Sequence, residues 1–282
     1  MPVRGYLLIS RILSACTAVA FPLIQAITRT NPAVRLHVYL DGSDMPQLFP
    51  SGYKKIFGPS PNLVSIDART HYAGERDCLN GIQYLALSST NLSSLALNVT
   101  YQGCVAKRRT IGDMRFRNGE RLPSLRRISV DGAEPHESWA KGIPWDALED
   151  VYFSTFPDIL HTVVEEMQSL RSVKLKVTGH WHTDEARLGR INDFLLRLPS
   201  PLEELDLEGL TVDNPVSTII RFGGSLKRLR LHILEKKISG TRQVLSAQRL
   251  EELCAACIRL EDLQIDINRN GKWVCLYGMS LL

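Results

Sequence analysis

The chain has 282 residues, 44% of them hydrophobic and 23% charged, and it is long and apolar enough to bury a large core. Its net charge of +4 is too small for a dedicated nucleic-acid-binding protein, which is usually far more basic. Its six cysteines lie at irregular spacing, unlike those of a disulfide scaffold, so we expect a reducing compartment, cytoplasmic or nuclear.

We predict a short N-terminal helical segment over residues 1–30, either a cap or a remnant of another module. The stretch from Tyr6 to Ile27 is fairly apolar, but Arg11 and Pro22 interrupt it. No uncharged run reaches the roughly 18 residues that a membrane span needs. Arg11 also falls inside the region that would be the apolar core of a signal peptide. We therefore expect no membrane attachment.

From residue 31 onward one pattern recurs: an apolar residue, two polar ones, an apolar one, one polar, one apolar. Leu202-Glu203-Glu204-Leu205-Asp206-Leu207 is the clearest copy. Copies start at residues 33, 63, 92, 125, 148, 170, 202, 226 and 260, at intervals of 22 to 34 residues. Alternation at period two predicts a strand with one buried face, and the intervals scatter around those of leucine-rich repeats.

Helical periodicity lies between the predicted strands. Ile191, Phe194, Leu195 and Leu198 fall at i, i+3, i+4 and i+7 and share one helix face. Repeated strand–helix units give parallel strands joined by crossovers, and stacking buries the apolar face that no single unit can cover. A doubly wound nucleotide-binding sheet is disfavoured, because no glycine-rich phosphate loop follows any strand. We predict an α/β fold over residues 31–282: a ribonuclease-inhibitor-like leucine-rich-repeat solenoid with helices on its convex side.

Two stretches resemble the degenerate leucine-rich repeats of fungal F-box proteins. They are Leu250-Glu251-Glu252-Leu253-Cys254 with residues 258–265, and residues 23–27 with residues 31–38. The resemblance covers roughly residues 20–268 and implies a substrate-recognition domain of a ubiquitin-ligase receptor. In that family an F-box before the repeats binds the Skp adaptor. No Leu-Pro-opened F-box helix set is found here, so either the module was lost or the chain is a fragment of a longer form.

The strand residues between the inward apolar positions should form the concave surface of the solenoid. Their charge alternates toward the C-terminus: Lys174 and Lys176, then Glu204, Asp206 and Glu208, then Arg228, Arg230 and His232, then Asp262, Gln264 and Asp266. Adjacent strands lie about 4.8 Å apart, so each band faces opposite charge. We favour a surface that neutralises itself and keeps the sheet soluble. The alternative is a charged partner that docks across the bands.

A partner site needs aromatic or arginine anchors, because binding hot spots are enriched in Trp, Tyr and Arg. On the predicted concave surface such residues lie toward the N-terminal half, and a long spacer carries two tryptophans. The residues that we predict to bind a protein partner are Arg35, His37, Tyr39, Arg69, Arg127, Tyr152, Trp139 and Trp145. For the two tryptophans, local packing against the flank of the repeats is the alternative.

The densest basic stretch, residues 107–127, is the basis of a second hypothesis. It contains Lys107, Arg108, Arg109, Arg115, Arg117, Arg121, Arg126 and Arg127. A solvated insertion is the interpretation that we favour, and a scaffold that binds RNA or an acidic partner is the alternative function. The lateral neutralisation of the strand bands argues against a nucleic-acid groove there.

An enzyme is the third hypothesis and the least favoured. No Ser-His-Asp, paired-carboxylate or phosphate-cradling arrangement can be argued from spacing. Cys254 and Cys257 form a C-x-x-C, but no second such pair exists, and we expect both on the apolar stripe of a helix as core residues. The sequence therefore predicts a non-catalytic protein–protein interaction module without metal or cofactor.

Overall fold

The computed structural model describes residues 6–9, 26, 30, 33–41, 61–72, 76–101, 114–122, 124–176, 185–209, 216–232 and 245–266. Ten strands within these ranges form one parallel sheet, and their spatial order is their order along the chain. They are β1 (Tyr6–Ile9), β2 (Arg35–Asp41), β3 (Leu63–Tyr72), β4 (Ser94–Tyr101), β5 (Arg127–Asp131), β6 (Asp150–Phe153), β7 (Ser172–Lys176), β8 (Glu204–Glu208), β9 (Arg228–His232) and β10 (Asp262–Ile265). The predicted parallel order of the strands is confirmed.

The recurring apolar positions build one side of the sheet, which we call the inner face. In the unit of β8, Leu202, Leu205 and Leu207 are all fully buried, and Leu202 precedes the strand by two residues. The register stacks equivalent positions, so that Leu205 lies between Val173 and Leu229. The predicted burial of these leucines is confirmed. Each contributes about 1.5–3 kcal/mol of hydrophobic stabilisation before entropy is subtracted.

The helices cover the inner face. They are α1 (Arg76–Leu87), α2 (Trp139–Gly142), α3 (Ile159–Val163), α4 (Glu185–Arg197), α5 (Val216–Ile220) and α6 (Ala247–Ala256). From α2 to α6 each contacts the next in chain order, and their buried side chains share one core with the inner face. None of these helices is long and apolar enough to span a membrane. The opposite side of the sheet, which we call the open face, has no described helix against it.

The N-terminal part differs from the predicted helical segment. Tyr6–Ile9 form β1, which pairs in parallel with β2 and places Tyr6 beside Arg35. The run Tyr6-Leu7-Leu8-Ile9 is apolar throughout, so it lacks the alternation by which the other strands were predicted. Ala26 and Thr30 are helical. The other residues of the predicted 1–30 segment lie outside the described residues.

Candidate functional site

Side chains on the open face form rows that run across the strands. One row consists of Tyr39, Asp67, Ala96, Ser129, Tyr152, Lys174, Asp206, Arg230 and Gln264. Every member is half-buried or exposed, whereas the residues on either side of it in each strand point to the inner face. The open face therefore meets solvent from β2 to β10.

Glu204 is the centre of an ion-pair ladder over the C-terminal strands. Its Oε1 lies 3.0 Å from Nζ of Lys174, and its Oε2 lies 3.0 Å from a guanidinium nitrogen of Arg228. The Ser172 hydroxyl also donates to Oε2, at 3.1 Å. Burial raises the pKa of Glu204, but the hydrogen bonds and charges of these neighbours outweigh it and hold the pKa below its ordinary value.

The same pairing extends through the other rows of the ladder. The further pairs are Lys176 with Glu208 at 3.0 Å and Arg230 with Asp262 at 3.6 Å. Nδ1 of His232 also lies 3.7 Å from a carboxylate oxygen of Asp266, a contact that is an ion pair only when the imidazole is protonated. The prediction that these bands neutralise one another laterally is confirmed for these pairs. Exposed ion pairs of this kind contribute about 0–1 kcal/mol each, so these pairs add little to the stability of the fold.

Tyr152 joins the ladder to the middle of the sheet. Its side chain is half-buried and hydrogen-bonded to Lys176 on the next strand. Burial and the nearby carboxylate of Asp131 raise the pKa of the Tyr152 hydroxyl, while Lys176 acts in the opposite direction. The phenol is therefore neutral at physiological pH, with its ring on the open face.

Six of the eight predicted partner-binding residues lie on the open face: Arg35, His37, Tyr39, Arg69, Arg127 and Tyr152. The guanidinium of Arg69 lies over the Tyr39 ring, 5.5 Å from its centroid. Nδ1 of His37 lies 2.6 Å from the Ser65 hydroxyl. These contacts hold the side chains of Arg69, Tyr39 and His37 in place in the absence of a partner.

Short side chains separate the two tyrosines in their row. Asp67, Ala96 and Ser129 stand between Tyr39 and Tyr152, and four strand spacings place the tyrosine positions roughly 19 Å apart. The part of the row from Tyr39 to Tyr152 thus has an aromatic side chain at each end and the short side chains of Ala96 and Ser129 in the middle. We call these five residues the tyrosine trough.

Trp139 and Trp145 are not on this surface, and their prediction as partner-binding residues is wrong. Both side chains are 0% exposed and belong to the core. Trp145 Nε1 donates to the Trp139 carbonyl oxygen at 3.2 Å, and the Phe116 ring packs edge-on against Trp139. They lie on the inner side, with Val151, whereas Tyr152 faces the open side. Local packing, the alternative interpretation, is what the structure has.

The described part of the basic stretch is largely neutralised. Arg121 pairs with Asp146 at 3.0 Å, Arg126 with Glu149 at 2.6 Å, and Arg127 with Asp150 at 2.8 Å. Arg115 and Arg117 are exposed. Residues 107–109 lie outside the described residues. Paired arginines offer less to a phosphate backbone, because each contact would first have to break an existing pair.

The two cysteines of the C-x-x-C have different surroundings. Cys257 is buried, and burial raises the pKa of its thiol, with a smaller effect of Cys254. Cys254 is exposed, so the prediction that both belong to the core is wrong. It follows the buried Leu253 directly, and one step of about 100° around α6 turns it away from the core. In the ranges that the structure describes, no group of three or more His, Cys, Asp or Glu could hold a metal ion.

Two residues that fix the predicted anchors were missed in the sequence. Asp150 binds Arg127, and Ser65 binds His37. Both stand at the same repeat position as their partner, one unit further along the chain. Aligning the copies of the repeat would have identified them.

No protein-family model matches this chain, and no curated protein matches its sequence. The structure gives an α/β fold with an all-parallel sheet.

Proposed function

We propose that this protein is a non-catalytic protein–protein interaction module, a leucine-rich-repeat solenoid that presents its open face to a partner. The observation that carries this proposal is the parallel sheet, against which the described helices lie on one side only. All-parallel sheets normally have both faces covered. Repeat solenoids are the architecture that leaves one face of such a sheet in solvent, and they use that face for binding.

Within the open face we assign the partner to the tyrosine trough and to the arginines that flank it, Arg35, Arg69 and Arg127. The ladder around Glu204 is already paired, so a partner there would desolvate ion pairs and gain little in return. Tyr39 and Tyr152 instead offer ring surface that is ordered by Arg69 and Lys176. Buried aromatic and arginine anchors supply most of the binding energy at protein interfaces.

The dimensions of the trough suggest the shape of the segment that it holds. An α-helix with its side chains is about 10–12 Å wide, less than the roughly 19 Å between the tyrosine positions. Ala96 and Ser129 are short, so a helix or an extended strand can approach the sheet between the two rings. The partner in this proposal is a polypeptide that places one such segment across β3 to β5.

The resemblance to fungal F-box proteins extends the proposal to a cytoplasmic or nuclear substrate receptor of a ubiquitin ligase. The segment held in the trough would then belong to the substrate. The Skp adaptor would bind a longer form that carries an F-box. Recovery of Skp and cullin with a tagged longer form that carries an F-box would support this role, and their absence from a complex of that form with the substrate would refute it.

The test is affinity capture with the full chain and matched variants. Tyr39→Ala/Tyr152→Ala removes both rings of the trough, and Leu196→Ser changes a side chain that is 48% exposed on α4, away from the open face. We expect the same protein to be recovered by the wild type and by Leu196→Ser, and to be lost with the double variant. Equal recovery by all three would refute the trough, and loss on nuclease treatment would favour the RNA-binding alternative.

A further inference from the structure

The last repeat unit of the described sheet is less covered than the units before it. In the units of β8 and β9, the first two apolar positions, Leu202 with Leu205 and Leu226 with Leu229, are fully buried. The equivalent residues of the β10 unit are only half-buried, as is the third apolar residue, Ile265. The apolar core is therefore partly exposed on the side of β10 that faces away from β9.

Three apolar residues form this uncovered surface, which we call the β10 edge: Leu260, Leu263 and Ile265. Ile258, two residues before Leu260, is 80% exposed. Among the described strands, β10 pairs with β9 alone, so the backbone groups on its outer side have no described strand partner. Repeat arrays need a covering element at each end, because the last unit otherwise exposes its core.

We infer that the β10 edge is the docking site of residues 267–282 of the same chain. This segment follows Ile265 and Asp266 directly and contains Trp273, Val274, Cys275, Leu276, Tyr277, Met279, Leu281 and Leu282. It thus carries the apolar side chains that the edge lacks. Direct attachment also makes its effective concentration at the edge high, whereas a separate partner would have to be recruited from solution.

Charge favours the same occupant. Residues 267–282 contain Arg269 and Lys272 and no Asp or Glu. Glu261 immediately precedes β10, and Asp266 immediately follows it. Asp262 already pairs with Arg230 and Asp266 lies against His232, so Glu261 is the carboxylate of this edge that a basic segment can approach without disturbing the ladder. A basic, apolar segment therefore complements an edge that combines apolar side chains with carboxylates.

A second copy of the chain is a poorer occupant. Two β10 strands related by a two-fold axis would pair antiparallel about Gln264, because such an interface is built from the same patch on both subunits. Asp262 of each copy would then face Asp266 of the other. Like charges directly opposite each other across a strand pair destabilise it.

The test is hydrogen–deuterium exchange on the full-length chain. In the wild type we expect residues 259–266 to be protected, independently of protein concentration. Trp273→Ala/Leu276→Ala should speed their exchange by about tenfold or more and leave β5 to β8 unchanged, which also shows that the variant is folded. Arg269→Glu/Lys272→Glu tests the charge argument with the apolar residues intact and should give a smaller increase in the same residues. Leu196→Ser is the control and should change nothing at β10.

Three results would overturn the inference. Rapid exchange of residues 259–266 in the wild type would show an uncovered edge. Protection that survives in Trp273→Ala/Leu276→Ala would assign the cover to another part of the chain. Protection that grows with protein concentration would assign it to a second copy. None of these results would bear on whether substitutions in the tyrosine trough abolish partner binding, so the two proposals can fail independently.

Discussion

The indole Nε1 of Trp139 donates a hydrogen bond of 2.8 Å to the carbonyl oxygen of Met114. The ring of Phe116 meets the same indole edge-on, with 6.0 Å between the ring centroids. These contacts fasten the segment between β4 and β5 to α2. Trp139 therefore packs the segment between β4 and β5 against the segment between β5 and β6.

Trp139→Ala should lower the free energy of unfolding by about 3–5 kcal/mol, because it leaves a large cavity in the core. Trp139→Phe fills part of that volume but leaves the Met114 carbonyl oxygen without its donor, so it should cost about 1–3 kcal/mol. Urea denaturation measures both. A loss below about 1 kcal/mol for Trp139→Ala would show that the indole is not packed as described.

Glu204→Gln should make the free energy of unfolding less dependent on pH in the acidic range. The pKa of Glu204 in the folded protein is below its ordinary value, so its stabilising contribution is present above that ordinary value and is lost as the pH falls through the lowered pKa. At neutral pH the variant should be less stable by about 1–3 kcal/mol. The difference from the wild type should shrink as the pH is lowered from about 5. Denaturant unfolding at several pH values measures this, with exposed Glu251→Gln as the control. A difference that does not change with pH would contradict it.

Gly132→Ala should be far more damaging than Gly119→Ala. Both glycines have positive φ, +78° and +86°, so an alanine at either costs about 1–2 kcal/mol of backbone strain. A Cβ on Gly132 would also lie 1.9 Å from the Val99 carbonyl oxygen at the end of β4, whereas nothing lies within 4 Å of one on Gly119. We expect a total loss of about 2–5 kcal/mol for Gly132→Ala. Equal losses in thermal or urea unfolding would contradict the close approach of β4.

Cys254 should react with a thiol reagent much faster than Cys257. Cys254 is exposed, whereas Cys257 is buried and burial raises the pKa of its thiol, so its reactive thiolate is both scarcer and less accessible. Mass spectrometry of peptides after timed labelling of the native protein measures the two rates. Equal rates under native conditions, with both sites labelled fully after denaturation, would place Cys257 outside the core.

Much of this fold could be predicted from the sequence, because a stacked array imposes the same demand on every unit. Leu205 and Leu229 are apolar for the same reason, since each lies against its equivalent in the next strand. The alternating charges of β7 to β10 likewise predicted the ladder. Lys174 forms its ion pair with Glu204 rather than with Asp206, which lies opposite it in the strand register. That preference depends on side-chain geometry, which the sequence pattern does not contain.

The candidate site could be predicted only in part. Tyr152 was placed on the open face because it alternates with Val151 and Phe153, and strand alternation is a strict rule. The spacer with Trp139 obeys no such period. An indole is large, apolar and capable of donating a hydrogen bond, so it suits a binding surface and a core equally well. Only the fold of the spacer decides between them.

Binding of a polypeptide at the tyrosine trough is tested most directly by the dissociation constant of the captured partner for Tyr152→Ala. Removing the ring should weaken binding by about 5- to 150-fold, or about 1–3 kcal/mol. Tyr152→Phe keeps the ring and should bind nearly as the wild type does. Lys174→Glu should change affinity little, because Lys174 belongs to the self-paired ladder. An unchanged constant for Tyr152→Ala together with a large loss for Lys174→Glu would contradict the assignment and move the site to the ladder.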